Sequence, residues 1–264
     1  MANVQPAAVA GMFYPADPLQ LRAEIRSYIR QAHTDTNTTA VPKALIAPHA
    51  GYIYSGPVAG SAYACLAPWS QLISRVVILA PAHRLAFSGV AYSGAAAFRT
   101  PLGDVEVDLD AVRQIARFPQ VTQCDAAFRG EHSIEVHLPF LQEVLVDFKI
   151  VPLLVGDARP EQVDELLELL WGGDETLILV SSDLSHYLSY EVARTMDQEA
   201  SRAIEALRPD ALSYHHACGR IPVSGLLLAA RRHRLSAKTL DLRNSGDTAG
   251  SRERVVGYGA YLLC

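Results

Sequence analysis

The chain has 264 residues, of which half are hydrophobic and 19% are charged, a composition typical of folded globular proteins and not of disordered or fibrous ones. Its 23 lysines and arginines stand against 28 aspartates and glutamates without a long basic run, so the sequence lacks the charge pattern of a nucleic-acid-binding protein. No apolar run is long enough to cross a bilayer, which argues against a membrane protein and leaves a small molecule or another protein as the expected partner.

The N-terminal segment and the cysteines bear on location and redox chemistry. Residues 1–10 contain no basic segment followed by an apolar core, so they do not resemble a secretory signal, and we expect a cytoplasmic protein. The cysteines are scattered, without the Cys-x-x-Cys pair of a zinc or redox motif. They are Cys65, Cys124, Cys218 and Cys264. We interpret them as free, buried thiols.

Short runs rich in Val, Ile and Leu alternate with helical patterns along the chain. Strands are predicted at 43–47, 75–80, 150–155, 176–180, 237–242 and 255–263. Helices are predicted at 57–66, 109–118, 139–147, 160–171, 191–207 and 221–232, several of them opened by a proline. This alternation predicts an α/β fold, with a single domain over residues 1–264 and a largely parallel central sheet covered by helices on both faces.

Three histidines follow predicted strands. They are His49, His83 and His186, the last of them three residues after Asp183. The carboxyl ends of parallel strands share one edge of a sheet, so these side chains can converge on one crevice. A carboxylate three positions from an imidazole can orient it or share its metal. The competing explanations are hydrogen-bonded structural histidines and, for Asp183, a helix cap.

The segment 130–139 combines two carboxylates with two imidazoles. They are Glu131, His132, Glu135 and His137. The zincin motif is excluded, because the histidines are five positions apart and Pro139 disfavours a helix through the segment. Such a density of titratable groups predicts an acid/base pair, for which we select Glu135 and His137, or the surroundings of a metal site. A salt-bridged loop that anchors the next helix is the alternative.

Five segments of the chain resemble those of the Memo family, whose prokaryotic members are often called AmmeMemoRadiSam system protein B. They are GMFYP at 11–15, PHAGY at 48–52, PAH at 81–83, EHSIEVHLP at 131–139 and SSDLSH at 181–186. The matches lie in order over almost the whole chain, and the Glu-His-Ser-x-Glu-x-His string is highly specific.

The resemblance implies a domain similar to the class III extradiol ring-cleaving dioxygenases, in which non-haem iron sits at the end of the sheet. By that likeness His49 and His83 match the two histidine ligands, and His186 matches the acid/base histidine. The dioxygenases use a glutamate as third ligand and animal Memo proteins a cysteine. Counting back from the strand at 255–263, the family cysteine falls at or beside Thr248, where this chain has no cysteine and Asp247 is the neighbouring carboxylate.

The predicted metal site therefore consists of His49, His83 and Asp247. Two imidazoles and a carboxylate with open positions suit iron(II), whereas a thiolate favours softer ions such as copper(I). We expect iron(II), with copper or zinc as the alternatives. If Asp247 points to solvent, Asp183 or His186 would assist the two histidines instead.

Three functions are compatible with such a site. The first is a metal-dependent, dioxygenase-like oxidoreductase that acts on a small oxygenated substrate, with His186 moving a proton and Asp183 orienting it. The second is a non-catalytic metal-binding or redox accessory protein that partners a radical S-adenosylmethionine (SAM) protein, as the family name suggests. Any iron–sulfur cluster would belong to that partner, because this chain has no Cys-x-x-x-Cys-x-x-Cys motif. The third is a peptide-binding module, suggested by animal relatives that bind phosphotyrosine peptides, although the chain has no arginine cluster suited to phosphate.

Overall fold

The computed structural model of the protein describes residues 3–32 and 40–264. Its strands are β1 (Val4–Gln5), β2 (Ala44–Ala47), β3 (Arg75–Pro81), β4 (Val90–Tyr92), β5 (Ala97–Thr100), β6 (Gly103–Glu106), β7 (Val121–Gln123), β8 (Lys149–Val155), β9 (Thr176–Ser181), β10 (His186–Leu188), β11 (Ala237–Asn244) and β12 (Val255–Leu263). Its α-helices are α1 (Pro18–Arg30), α2 (Tyr52–Ala64), α3 (Leu109–Ile115), α4 (Asp125–Phe128), α5 (Leu138–Val144), α6 (Pro160–Leu170), α7 (Tyr190–Glu205) and α8 (Arg220–Arg232).

A nine-stranded sheet forms the centre of the molecule. Its strand order is β10-β12-β2-β9-β3-β8-β4-β7, and β11 pairs with β12 outside this path. The four neighbours β2, β9, β3 and β8 run parallel to one another. They are almost entirely buried, as strands covered on both faces must be, and this explains their Val, Ile and Leu content. The predicted parallel sheet is confirmed in this central part.

The outer strands make the sheet mixed. β12 runs antiparallel to β2, β10 and β11, and β4 runs antiparallel to β8. Parallel neighbours require a long crossover connection, whereas β11 reaches β12 through a loop with one 3₁₀ turn, which allows an antiparallel pair. Apolar runs give no information on strand direction, so the sequence could not show this reversal.

Helices pack against the sheet and complete the core. α2 contacts β2, β11 and β12, α7 contacts β11 and β12, and α8 contacts β3 and β9 with α6 packed against it. A smaller sheet with the order β1-β5-β6 lies beside them. One continuous cluster of buried side chains joins these elements, so the described chain is a single α/β domain. None of the described helices combines the length and the apolar character needed to span a membrane.

All six predicted helices are present, while α1 and α4 were not predicted. The helix expected to begin at Pro57 begins at Tyr52, and Pro57 lies inside it. Pro57 has no N–H to donate to the carbonyl four residues earlier, so it costs the helix one backbone hydrogen bond, and the packing of α2 against the sheet holds the helix across it. For α1 the start signal is in the sequence: Asp17 caps the helix by accepting from the Gln20 backbone N–H (2.8 Å), and Pro18 is the first helical residue.

The parallel strands end at one edge of the sheet. His49, His83 and Asp183 each stand two residues after the last residue of β2, β3 and β9, respectively. Because β9 lies between β2 and β3, the three segments that leave these strands are neighbours in space. The fold thus brings together residues that are more than one hundred positions apart in the sequence.

The carboxyl group of Asp197 on α7 lies in the core, and its Oδ1 accepts the backbone N–H of Ser185 (2.9 Å). Burial raises the pKa of Asp197 from 3.8 to about 6. The native state therefore binds this proton more tightly than the unfolded state. The contribution of Asp197 to stability falls as the pH rises from about 4 to about 6, and stays low above that.

Asp197→Asn removes this titration. We subtract the free energy of unfolding of the natural protein from that of the variant, and we expect this difference to be about 2–3 kcal/mol larger at about pH 7 than at about pH 4. Urea unfolding of both proteins at the two pH values measures the difference. An equal difference at both pH values would contradict the assignment.

Candidate metal centre

Three imidazoles meet at the carboxyl edge of the parallel strands. His49, His83 and His132 each offer one ligand atom, and these atoms all lie within 4.8 Å of one another. The ring centroids are 5.1 Å apart for His49 and His83, 5.5 Å for His49 and His132, and 5.0 Å for His83 and His132. This group can hold a metal ion, since neutral imidazole is a common ligand of iron, copper and zinc.

Two serines bring the loop with His132 to the edge of the sheet. Ser133 Oγ donates to the Pro81 carbonyl at the end of β3 (2.9 Å). Ser181 Oγ, at the end of β9, donates to the Ser133 carbonyl (2.7 Å). Both serines are fully buried, so these bonds are shielded from water. His132 is therefore held beside the strand ends although it does not follow a strand itself.

Ser181 also fixes the tautomer of His49. Ser181 Oγ uses its proton on the Ser133 carbonyl, so it accepts from His49 Nδ1 (2.6 Å). The proton of the neutral ring is then on Nδ1, and the lone pair of Nε2 is free to bind a metal. His49 is 2% exposed, and burial followed by repulsion from His83 lowers its pKa well below the usual value. The ring is neutral, as a ligand must be.

Glu131 orients His83 in a similar way. Its Oε1 accepts from His83 Nδ1 (3.1 Å) and its Oε2 accepts from the His83 backbone N–H (2.6 Å). The backbone N–H groups of His132 and Ser133 also donate to this carboxylate. Burial alone would raise the pKa of Glu131, but these hydrogen bonds outweigh burial and hold it well below the usual range. The carboxylate therefore stays ionised and leaves Nε2 of His83 as the ligand atom.

His132 fits the role of third ligand. Its ring stacks on His83 and packs against Phe13, with ring centroids 4.8 Å apart in the latter pair. Its Nδ1 is buried and lies 3.4 Å from Glu131 Oε1, but it has no hydrogen-bond partner among the described residues. Burial lowers the pKa of His132, so the ring is neutral. A buried ring nitrogen without a partner is costly, and a bound ion offsets that cost when the nitrogen is a ligand.

A cysteine lies beside this group, next to His49. Cys218 Sγ lies 3.4 Å from His49 Nε2, and the Asp183 backbone N–H donates to it (3.3 Å). Burial and the Asp183 carboxylate raise the pKa of the Cys218 thiol. The thiol side chain can approach β9 because the next residue is Gly219, where a β-carbon would lie 2.6 Å from the Ser181 carbonyl oxygen.

The family cysteine was expected at or beside Thr248, where this chain has none, and the structure instead places Cys218 near the imidazoles. Counting back from the last strand reached the loop between β11 and β12, whereas Cys218 lies just before α8. Cys218 is a free thiol, as predicted, and its sulfur faces His49. No Cys-x-x-Cys spacing marks it, so only the packing of the segment before α8 reveals its position.

Asp247 lies outside the group of three imidazoles. Its carboxylate accepts the Tyr190 hydroxyl (2.6 Å) and the backbone N–H of Asn244 (3.0 Å), and the side chain is exposed. It closes the 3₁₀ turn after β11, which accounts for its hydrogen bonds. The structure therefore supplies His132 and Cys218 beside the two strand-end histidines, where the sequence predicted Asp247.

Asp183 contacts His49, and not His186 as predicted. Its Oδ1 accepts the His49 backbone N–H (2.8 Å), and its Oδ2 lies 4.0 Å from His49 Nε2. Burial raises the pKa of this carboxyl group. No hydrogen bond joins Asp183 to the imidazole of His186 in the part of the chain that the structure describes. His186 is exposed and faces a cavity.

Glu135 and His137 point away from the three imidazoles. Glu135 accepts the backbone N–H groups of Ala8 (2.6 Å) and Val9 (3.0 Å) and the Tyr14 hydroxyl (2.5 Å). His137 Nδ1 lies 2.7 Å from the Tyr63 hydroxyl, and burial lowers the pKa of its ring well below the usual value. The carboxylate thus anchors the N-terminal segment, and the imidazole is a core residue.

A cavity of about 460 Å³ opens beside the group. Among its lining residues are His83, His186, Cys218, Tyr187, Met196 and Tyr214. Tyr187 has a positive φ of 59°, which is uncommon for an aromatic residue and is often found at binding sites. The cavity is large enough for a small organic molecule and combines apolar walls with the imidazoles of His83, His186 and His215.

Comparison with known proteins identifies the family of the chain. The family model described as "Memo-like protein" matches residues 5–262. A MEMO1 family protein of Methanopyrus kandleri is 35% identical over 283 residues, which cover 97% of each chain. One of Saccharolobus islandicus is 34% identical, covering 95% of this chain and 96% of its own, and one of Aquifex aeolicus is 33% identical, covering 97% of each. The chain belongs to the Memo family.

Proposed function

We propose that the protein is a metal-dependent oxidoreductase that acts on a small molecule bound in the cavity beside His83 and His186. The observation that carries this proposal is the convergence of three imidazoles on one point next to that cavity. A purely structural histidine cluster would have its ring nitrogens paired within the protein. Here Ser181 and Glu131 pair Nδ1 of His49 and of His83. His49 Nε2 faces the Cys218 thiol, and the buried Nδ1 of His132 has no partner among the described residues.

The donor set favours a first-row transition ion. His49, His83 and His132 would hold it, and the sulfur of Cys218 lies beside the first of these rings, 3.4 Å from His49 Nε2. A thiolate shifts preference toward softer ions than a carboxylate would, so copper(I) gains relative to the iron(II) expected from a site with Asp247. When bound, iron or copper would supply Lewis acidity and one-electron chemistry.

The protein's own residues would position and protonate the substrate. Glu131 and Ser181 keep the two strand-end imidazoles in the correct tautomer and orientation. His186 faces the cavity, and its imidazole makes no hydrogen bond with the described residues, so a ring nitrogen can accept a proton from a substrate hydroxyl or return it. Tyr187 and Met196 supply part of the cavity wall against which a substrate would pack.

Oxygen uptake tests this function. Protein loaded with iron(II) or copper(I) should consume oxygen with at least one member of a panel of substituted catechols. His186→Ala should lower the rate at least about a hundredfold while the metal content stays unchanged, because only the proton-transfer step is lost. His233→Ala is the matched control, since His233 lies on α8's C-terminal cap, stacked on Trp171 and outside the cavity.

Two outcomes would contradict the proposal. If the loaded protein retains its metal but consumes no oxygen with any panel member, the non-catalytic accessory role beside a radical SAM protein is favoured instead. If His186→Ala reacts as fast as the natural protein, His186 does not move the proton.

A further inference from the structure

A second compartment of about 250 Å³ adjoins the cavity beside the metal centre. Pro81, Ala82, Tyr214 and Cys218 line both spaces, so the two are neighbours along one groove-like surface that includes Tyr214. Tyr214 is 78% exposed, which is unusual for an aromatic side chain unless it serves as a binding surface. A molecule longer than the first compartment can therefore extend past Tyr214 while one end remains near the three imidazoles.

An arginine without a partner lies in the second compartment. Arg220, the first residue of α8, is half-buried and lines this space. Within the described ranges its guanidinium makes neither an ion pair nor a side-chain hydrogen bond. By contrast, Arg232 at the other end of α8 pairs with Asp164 and Glu168. A partly desolvated guanidinium presents a fork of donors that matches the two oxygens of a carboxylate.

A single acidic side chain shares the compartment. Asp157 stands two residues after the end of β8 and lines the same space, but its carboxylate is more than 4 Å from the Arg220 guanidinium, because no ion pair joins them in the described chain. Its negative charge lowers the positive potential of the compartment. The site is therefore better matched to a group with one negative charge than to a phosphate with two.

We propose that the second compartment binds a carboxylate of the substrate through Arg220, so that the protein acts on small molecules with a carboxylate at one end and the reacting group at the other. This inference rests on the proposed function, since it places the reacting group at the three imidazoles. Tyr214 would pack against the part of the substrate that joins the two ends.

Calorimetric titration of protein loaded with redox-inert zinc tests the proposal without turnover. The probes are 3-(3,4-dihydroxyphenyl)propanoate, its neutral primary amide and 4-methylcatechol, which share the metal-binding end and differ at the other. We expect the carboxylate to bind at least about tenfold more tightly than the amide, with Arg220→Met reducing this ratio to about one. Arg117→Met is the matched control, because Arg117 is an exposed arginine outside the groove and its loss should leave the ratio unchanged.

Asp157→Asn should change the affinity for the carboxylate in the direction opposite to Arg220→Met. Removing its negative charge should tighten binding of the carboxylate about two- to fivefold and leave the amide unaffected. Equal affinities of carboxylate and amide for the natural protein, or an unchanged ratio in Arg220→Met, would overturn the inference alone. Failure of the protein to bind zinc, or of all three probes to bind the zinc-loaded protein, would overturn the proposed function and the inference together.

Discussion

Replacing His49 and His83 together with alanine should reduce bound metal from about one ion per chain to less than about a tenth of that, under conditions that saturate the natural protein. Loss of one residue that merely orients a ligand typically costs about 10–100-fold in metal affinity, so loss of two ligands should cost at least about a thousandfold. Elemental analysis of protein prepared without oxygen, followed by competition with a chromophoric chelator, measures both quantities.

Graded controls make this result specific. Ser181→Ala keeps all three imidazoles but removes the acceptor for His49 Nδ1, and it should weaken metal binding by about 10–100-fold. His233→Ala should change nothing, because this histidine pairs with Glu168 away from the centre. The double variant should retain the far-ultraviolet circular dichroism of the natural protein. If it unfolds, or if it still binds one ion with high affinity, the assignment of these histidines as ligands is wrong.

Glu135→Ala should destabilise the protein by about 3–5 kcal/mol while leaving its metal content unchanged. The buried carboxylate accepts two backbone N–H groups and the Tyr14 hydroxyl, and alanine leaves all three donors without a partner. Tyr14→Phe removes only one donor together with its bond, so it should cost about 1–3 kcal/mol. Chemical denaturation of the metal-free proteins measures both changes in the free energy of unfolding.

This experiment separates two roles for Glu135. The sequence predicted a catalytic acid or base, whereas the contacts indicate an anchor for residues 8–14. Glu135→Gln preserves the shape of the side chain and serves if the alanine variant does not fold. A Glu135 variant with unchanged stability and lost oxygen consumption would restore the catalytic prediction.

The strand-end histidines could be predicted because their signal is local. A buried apolar run followed by Pro-His or Pro-Ala-His indicates a side chain at the carboxyl edge, and the structure places His49 and His83 there. The same buried apolar runs, alternating with helical patterns, also predicted the α/β class. Strand direction in the outer sheet depends on loop paths, which short apolar segments do not encode.

The remaining site residues depend on contacts between distant segments. Within 131–137 the sequence gives two carboxylates and two imidazoles, and nothing local shows which pair faces the centre. The serine bonds to Pro81 and Ser181 settle this by fixing the loop, so that Glu131 and His132 turn toward His83 while Glu135 and His137 turn into the core. Cys218 likewise depends on how the segment before α8 packs against β9.

Gly219 has a consequence for how variation is tolerated along the chain. The 2.6 Å approach of its missing β-carbon to the Ser181 carbonyl means that even alanine would push the neighbouring backbone outward. The sulfur of Cys218 would then move away from His49, although neither residue had been altered. A methyl group at this one position would thus separate the thiol from the imidazoles. A comparison of sequences that considered only the ligand residues would not detect this change.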